Sequence, residues 1–136
     1  MDMIQYISAS YQSQTYFFNA LVQADETGID MILLNEMGVN MGNLSYKDGS
    51  LNFSSLLFPR SMRPEYIVAD FQLCFYDPAA LNEVLDQSNL TLVLDGAKRR
   101  ILDGREVIIE IEKTHREVKL TNHLRGYSYT LEGEFL

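Results

Sequence analysis

Turn chemistry constrains this chain most. Three Asp-Gly pairs stand at Asp48-Gly49, Asp95-Gly96 and Asp103-Gly104, each between apolar or alternating segments. That pairing is the strongest short-range signal for a tight β-hairpin, because Asp tolerates positive φ at the first central turn position and Gly suits the second. Gly28, Gly126 and Gly133 read as further bends. Between these punctuation marks the residues read as strands: Met3–Tyr11, Thr15–Ala24, Gly28–Asn35, Asn43–Lys47 and Leu51–Ser54, then Leu90–Leu94, Arg99–Leu102, Glu106–Glu112, Glu117–Thr121 and Tyr127–Glu132. About nine or ten strands joined by short turns make an antiparallel sheet.

One stretch departs from this rhythm. From Ser61 to Asp86 there is no Gly, and the apolar period shifts from two to about 3.6 residues. Pro64 suits a first helical turn, and Ile67, Phe71, Cys74 and Phe75 form one stripe. Asp77-Pro78 reads as an N-cap followed by proline at the first position of a second helix, with Leu81, Val84 and Leu85 on its core side. The expected class is mainly β (α+β), with a helical pair inserted mid-chain on the concave side of the sheet. At 136 residues the chain is one domain, 1–136, large enough to bury a core without metals or disulfides.

The strands differ in their faces. Val107, Ile109 and Ile111 oppose Glu110 and Glu112, and Tyr127, Tyr129 and Leu131 oppose Ser128, Thr130 and Glu132, so these strands have one wet face. The strands holding Phe17, Phe18, Ala20, Leu21 and Val22, and Ile29, Met31, Ile32, Leu33 and Leu34, are apolar on both faces. Such strands are either covered on both sides, by helices and by loops, or line a hollow on one. The hollow reading nominates Phe18, Val22, Met31, Leu33, Ile67 and Phe71 as its wall. Met31, Met37, Met41 and Met62 fall near these strands and the entry to the helices, where methionine either meets a ligand or fills an irregular core.

Charge and residue inventory exclude other chemistries. Eleven basic and nineteen acidic side chains give a net charge of −8, which disfavours nucleic acid. One cysteine, Cys74, and two histidines, His115 and His123, cannot assemble a disulfide or a multi-Cys metal site, and no nucleophile–base set or phosphate-binding glycine loop is visible. No enzyme activity, cofactor or metal is expected. Asn122, His123 and Arg125, in Thr121-Asn122-His123-Leu124-Arg125-Gly126, read as a structural turn, with Arg125 free to pair with a nearby carboxylate. The first residues, Met1-Asp2-Met3-Ile4-Gln5-Tyr6, lack the basic and apolar regions of a signal peptide.

Three segments carry a resemblance. Tyr66–Leu81 with its Ala69-Asp70-Phe71-Gln72-Leu73, Arg99–Gly104, and Leu120–Tyr127 with its Asn122-His123-Leu124-Arg125-Gly126-Tyr127 resemble the bacterial lipoprotein family called domain of unknown function 3261. The likeness runs from about Tyr6 to Leu131. It implies a Gram-negative outer-membrane lipoprotein of the periplasm, of a family often encoded beside pathways for aryl polyene pigments. It also implies a fold similar to the lipoprotein carrier and receptor of the Lol pathway: a strongly curved antiparallel sheet, an incomplete barrel, closed by helices. The implied role is non-enzymatic binding of an acyl or polyene chain, or of a lipoprotein's lipid, in an apolar hollow. Attachment to the outer membrane would run through an N-terminal lipid on a cysteine that this sequence does not contain. The alternative is a structural or assembly subunit of an outer-membrane or polyene-biosynthesis system with a filled core.

Overall fold

The computed structural model describes residues 2–55 and 63–135. Ten strands are seen among them: β1 (Asp2–Tyr11), β2 (Gln14–Asp25), β3 (Gly28–Leu34), β4 (Asn40–Lys47), β5 (Ser50–Ser54), β6 (Thr91–Asp95), β7 (Lys98–Asp103), β8 (Glu106–Lys113), β9 (Glu117–Asn122) and β10 (Tyr127–Phe135). Two helices, α1 (Pro64–Phe75) and α2 (Pro78–Gln87), stand between β5 and β6. All strands join one antiparallel sheet in the order β5-β4-β3-β2-β1-β10-β9-β8-β7-β6. Chain order is kept within each half, as hairpin-length turns require. The first and last strands meet in the middle, with Met3 opposite Phe135 and Tyr11 opposite Tyr127. β5 and β6 are the two edges and do not pair, so the barrel is incomplete, and the helical pair lies between them in the chain.

The turns follow their residues, with corrections. Asp48 and Gly49 both have positive φ and form the whole two-residue loop between Lys47 and Ser50. In the other two pairs the Asp closes its strand, and the loops are Gly96-Ala97 and Gly104-Arg105, with positive φ at the glycine alone. This matches the turn in which glycine takes the first central position. Gly28 and Gly133 are not bends: each pairs inside the sheet, Gly28 with Lys47 and Gly133 with Gln5. A Cβ on Gly28 would collide with the carbonyl oxygen of Tyr46, so close strand approach demands glycine there.

One face of the sheet builds the core. Phe18, Ala20, Val22, Ile29, Met31, Leu33 and Leu44 are buried with Val68 and Phe71 of α1. Ile101, Ile109, Ile111, Val118, Leu120 and Leu131 are buried with Cys74. α1 therefore lies on the inner face and touches both halves. The outer face of β8 carries Glu110, which meets Lys98 and Arg100 in ion pairs at 3.8 Å and 3.5 Å. Two expectations fail locally. Val84 is 62% exposed, so of the three core-side residues expected on α2 only Leu81 is buried and Leu85 half-buried. A register shift lets β8 bury both Ile108 and Ile109, so its alternation breaks at Val107.

The C-terminal end of α1 is capped from the sheet. Its last turn has no basic residue of its own. Arg99 of β7 donates to the carbonyls of Leu73 (3.0 Å) and Tyr76 (2.9 Å), and Lys113 of β8 donates to that of Cys74 (2.7 Å). These carbonyls have no partner within the helix, and cations there complement the helix dipole. Burial, and next the neighbouring Arg99, lower the Lys113 pKa.

Candidate functional site: an apolar hollow with a polar mouth

Between α1 and the inner face of β1, β2, β3 and β10 lies a cavity of about 370 Å³. That is within the range of roughly 300–1,000 Å³ typical of small-molecule sites. Its depth is mainly apolar, with Gln5 the polar exception. Phe18, Ala20, Met31 and Leu33 form the sheet wall, Ile67, Phe71 and Phe75 the helix wall, and Leu131 the side toward β10. Of the six residues nominated from sequence, Phe18, Met31, Leu33, Ile67 and Phe71 line this space. Val22 does not: it is buried in the adjoining core. The strands with two apolar faces are thus covered on one face only. Phe17 on the other face is 56% exposed, with Leu21 and Ile32 also exposed. Met37 is exposed and Met41 packs at the core margin, while Met62 lies outside the described residues.

The polar end is at the Tyr11 end of β1. Arg63, Tyr66, Arg125, Tyr127, Ser10 and Tyr11 gather there. The rings of Tyr66, Tyr127 and Tyr129 follow one another in stacked pairs, with centroids 6.5 Å and 6.4 Å apart. The Arg125 guanidinium carbon sits 3.8 Å from the Tyr66 ring centroid and that of Arg63 sits 5.6 Å from it. Both are cation–π contacts. Arg125 makes no direct ion pair among the described residues; the carboxylate its charge acts on is Asp70, and its closest ring contact is Tyr66.

Asp70, buried to 5% exposure, is the feature that sequence reasoning missed. It sits on the apolar stripe of α1, three residues after Ile67 and four before Cys74, and an acid inside such a stripe is a legible signal. The Tyr127 hydroxyl donates to Asp70 Oδ2 at 2.6 Å. Burial pushes the Asp70 carboxyl up to about 7, against the pull of the Tyr127 hydroxyl and the Arg125 charge. Burial, then the Asp70 charge, raise Tyr127 in turn. Burial likewise pushes the Cys74 thiol up to about 12, so it stays protonated and packs as an apolar side chain. Gln5 is a second buried polar residue on the wall, its amide donating to the Met3 sulfur at 3.1 Å.

Asn122 forms a latch beneath this mouth. It is fully buried, its Oδ1 accepts the Arg125 N–H at 2.8 Å, and its carbonyl accepts the Gly126 N–H at 2.9 Å. Its amide reaches the Tyr127 hydroxyl at 3.4 Å. His123 is exposed, anchored through its backbone N–H to the Ile108 carbonyl and 4.0 Å from Glu110. Only Arg125 of the three turn residues reaches the cavity wall. Asn122→Ala is expected to lower stability by about 1–2 kcal/mol through lost hydrogen bonds. Urea denaturation checks this, and an unchanged midpoint removes the latch role.

Among the described residues no group of three or more His, Cys, Asp or Glu could hold a metal ion, and no helix is long and apolar enough to cross a membrane. No curated protein matches the chain. The segments around Asp70 and Asn122–Tyr127, far apart in sequence, meet at the hydrogen bond between Asp70 and Tyr127. Both fall inside residues 2–133, which match the family model described as Protein of unknown function (DUF3261), and the chain belongs to that family.

Proposed function

We propose that this protein is a non-enzymatic carrier that holds the apolar chain of an amphiphile, acyl or polyene, between α1 and the sheet. The observation that carries the reading is the cavity of about 370 Å³, apolar in depth and polar at one end. Each methylene moved from water into it contributes about 0.8 kcal/mol, so affinity rises with chain length until the hollow is full. An apolar cavity of this kind can stay dry and accept an apolar guest. Isothermal titration calorimetry with single-chain amphiphiles of increasing length is expected to show micromolar binding, tightening with length, with a negative heat-capacity change.

The proposed setting is the periplasm, with the chain tethered to the outer membrane by a lipid on a cysteine upstream of this sequence. Labelling of the native precursor by a radioactive fatty acid tests that tether. A second reading, a structural or assembly subunit, is favoured by the exposed Tyr6, Phe17, Leu21 and Ile32 on the outer face of β1–β3. A neighbouring apolar cluster of this sort suits a protein partner. Calorimetry without heat for any chain length would leave that reading in place of the carrier.

A further inference from the structure

We propose that the ligand carries a carboxylate head, held at the mouth of the hollow by Arg125 with Arg63 beside it. The inference rests on the carrier reading and adds the chemistry of the head. Three charged residues border the cavity: Arg63, Asp70 and Arg125. They are not equivalent. Arg63 already meets Glu65 at 3.4 Å. Asp70 is buried and committed to the Tyr127 hydroxyl. Arg125 makes no direct ion pair among the described residues, its charge reaching Asp70 only at longer range, and its backbone is fixed by the Asn122 latch. Its guanidinium carbon lies over the Tyr66 ring, a contact that leaves N–H donors for another group.

The chain as a whole is acidic, with a net charge of −8, so two arginines at the polar end of an apolar hollow stand against the background. A neutral lipid head gives such donors little to do. A planar carboxylate accepts two parallel N–H bonds from one guanidinium, and Tyr66 and Tyr127 flank it with apolar ring surface. Asp70 opposes an approaching anion least when it is protonated, which its burial favours. The arrangement thus discriminates by head: apolar surface holds the tail of any amphiphile, and only an anion gains from Arg125.

The experiment compares laurate, lauryl alcohol and lauryl phosphate, which share one tail, by calorimetry on the intact chain. Laurate is expected to bind about tenfold to a hundredfold more tightly than the alcohol, the range that charge-assisted hydrogen bonds give. Arg125→Gln should remove most of that difference, weakening laurate far more than the alcohol, and Arg125→Lys should restore part of it. Circular dichroism verifies that each variant is folded; Arg63→Gln gives a second, smaller loss for laurate alone. Equal binding of laurate and alcohol overturns the carboxylate assignment and leaves the carrier intact. Tighter binding of the phosphate than of laurate overturns it in favour of a phosphate head. Heat from none of the three, at any tail length, removes the carrier reading and this inference with it.

Discussion

Asp70→Asn is expected to flatten the pH dependence of stability between about pH 4 and pH 7. In the unfolded chain an aspartate titrates near ~3.9. In the folded protein Asp70 titrates near about 7, because burial penalises its charge more than Tyr127 and Arg125 favour it. Between these values the folded state binds the extra proton. Stability from this group is therefore complete below the unfolded pKa and is lost as pH rises through the folded pKa. The loss is on the order of 2–4 kcal/mol, since each unit of difference corresponds to about 1.4 kcal/mol. Asparagine cannot titrate, yet its oxygen still accepts the Tyr127 hydroxyl. Melting curves across this range should show the wild type falling relative to the variant as pH rises. Asp25, held below the usual carboxylate range by the Thr27 hydroxyl and backbone, trends the other way but is common to both proteins and cancels. Parallel profiles would mean that Asp70 is ionised throughout.

The second large effect concerns the wall of the hollow. Met31→Lys should abolish binding of every amphiphile, because Met31 is buried and faces the cavity, where an ammonium takes the place of the apolar tail. That substitution also threatens the fold, so a second variant separates the causes. Ala20→Phe places a ring in the cavity without a charge; it should abolish binding while keeping a cooperative melt. Leu34→Lys, on the opposite face of β3 and half-buried, should leave affinity within about twofold, as outward substitutions usually do. Retained binding in Ala20→Phe would place the guest somewhere other than this hollow.

Much of this was legible in the residues. Period-two segments and tight turns named all ten strands to within a few residues at each end, and sheet order followed because short turns leave neighbours no choice. The inward face of β2 and β3 was legible from alternation, whereas their second apolar face is exposed and neither covered nor part of the hollow, and Pro64 and Pro78 both start helices. Long-range polar pairing was hidden. Asp70 meets Tyr127 only after the sheet and α1 have docked, and Arg99 and Lys113 find the end of α1 through side chains that local pattern does not aim. Val22 was misplaced for a related reason. Alternation gives the face of a strand, but the position along it decides whether that face meets the helix or its own neighbours.

The meeting of β1 and β10 has a geometric consequence. β1 runs from Asp2 to Tyr11, which at strand rise is about 30 Å from end to end. Asp2 stands near Phe135 at one pole of the molecule, while Ser10, Tyr11 and Tyr127 stand with Arg125 at the other. The polar mouth and the first residue of β1 are thus held a full strand length apart, so a guest entering beside Tyr11 meets the C-terminal end of that strand and not its start.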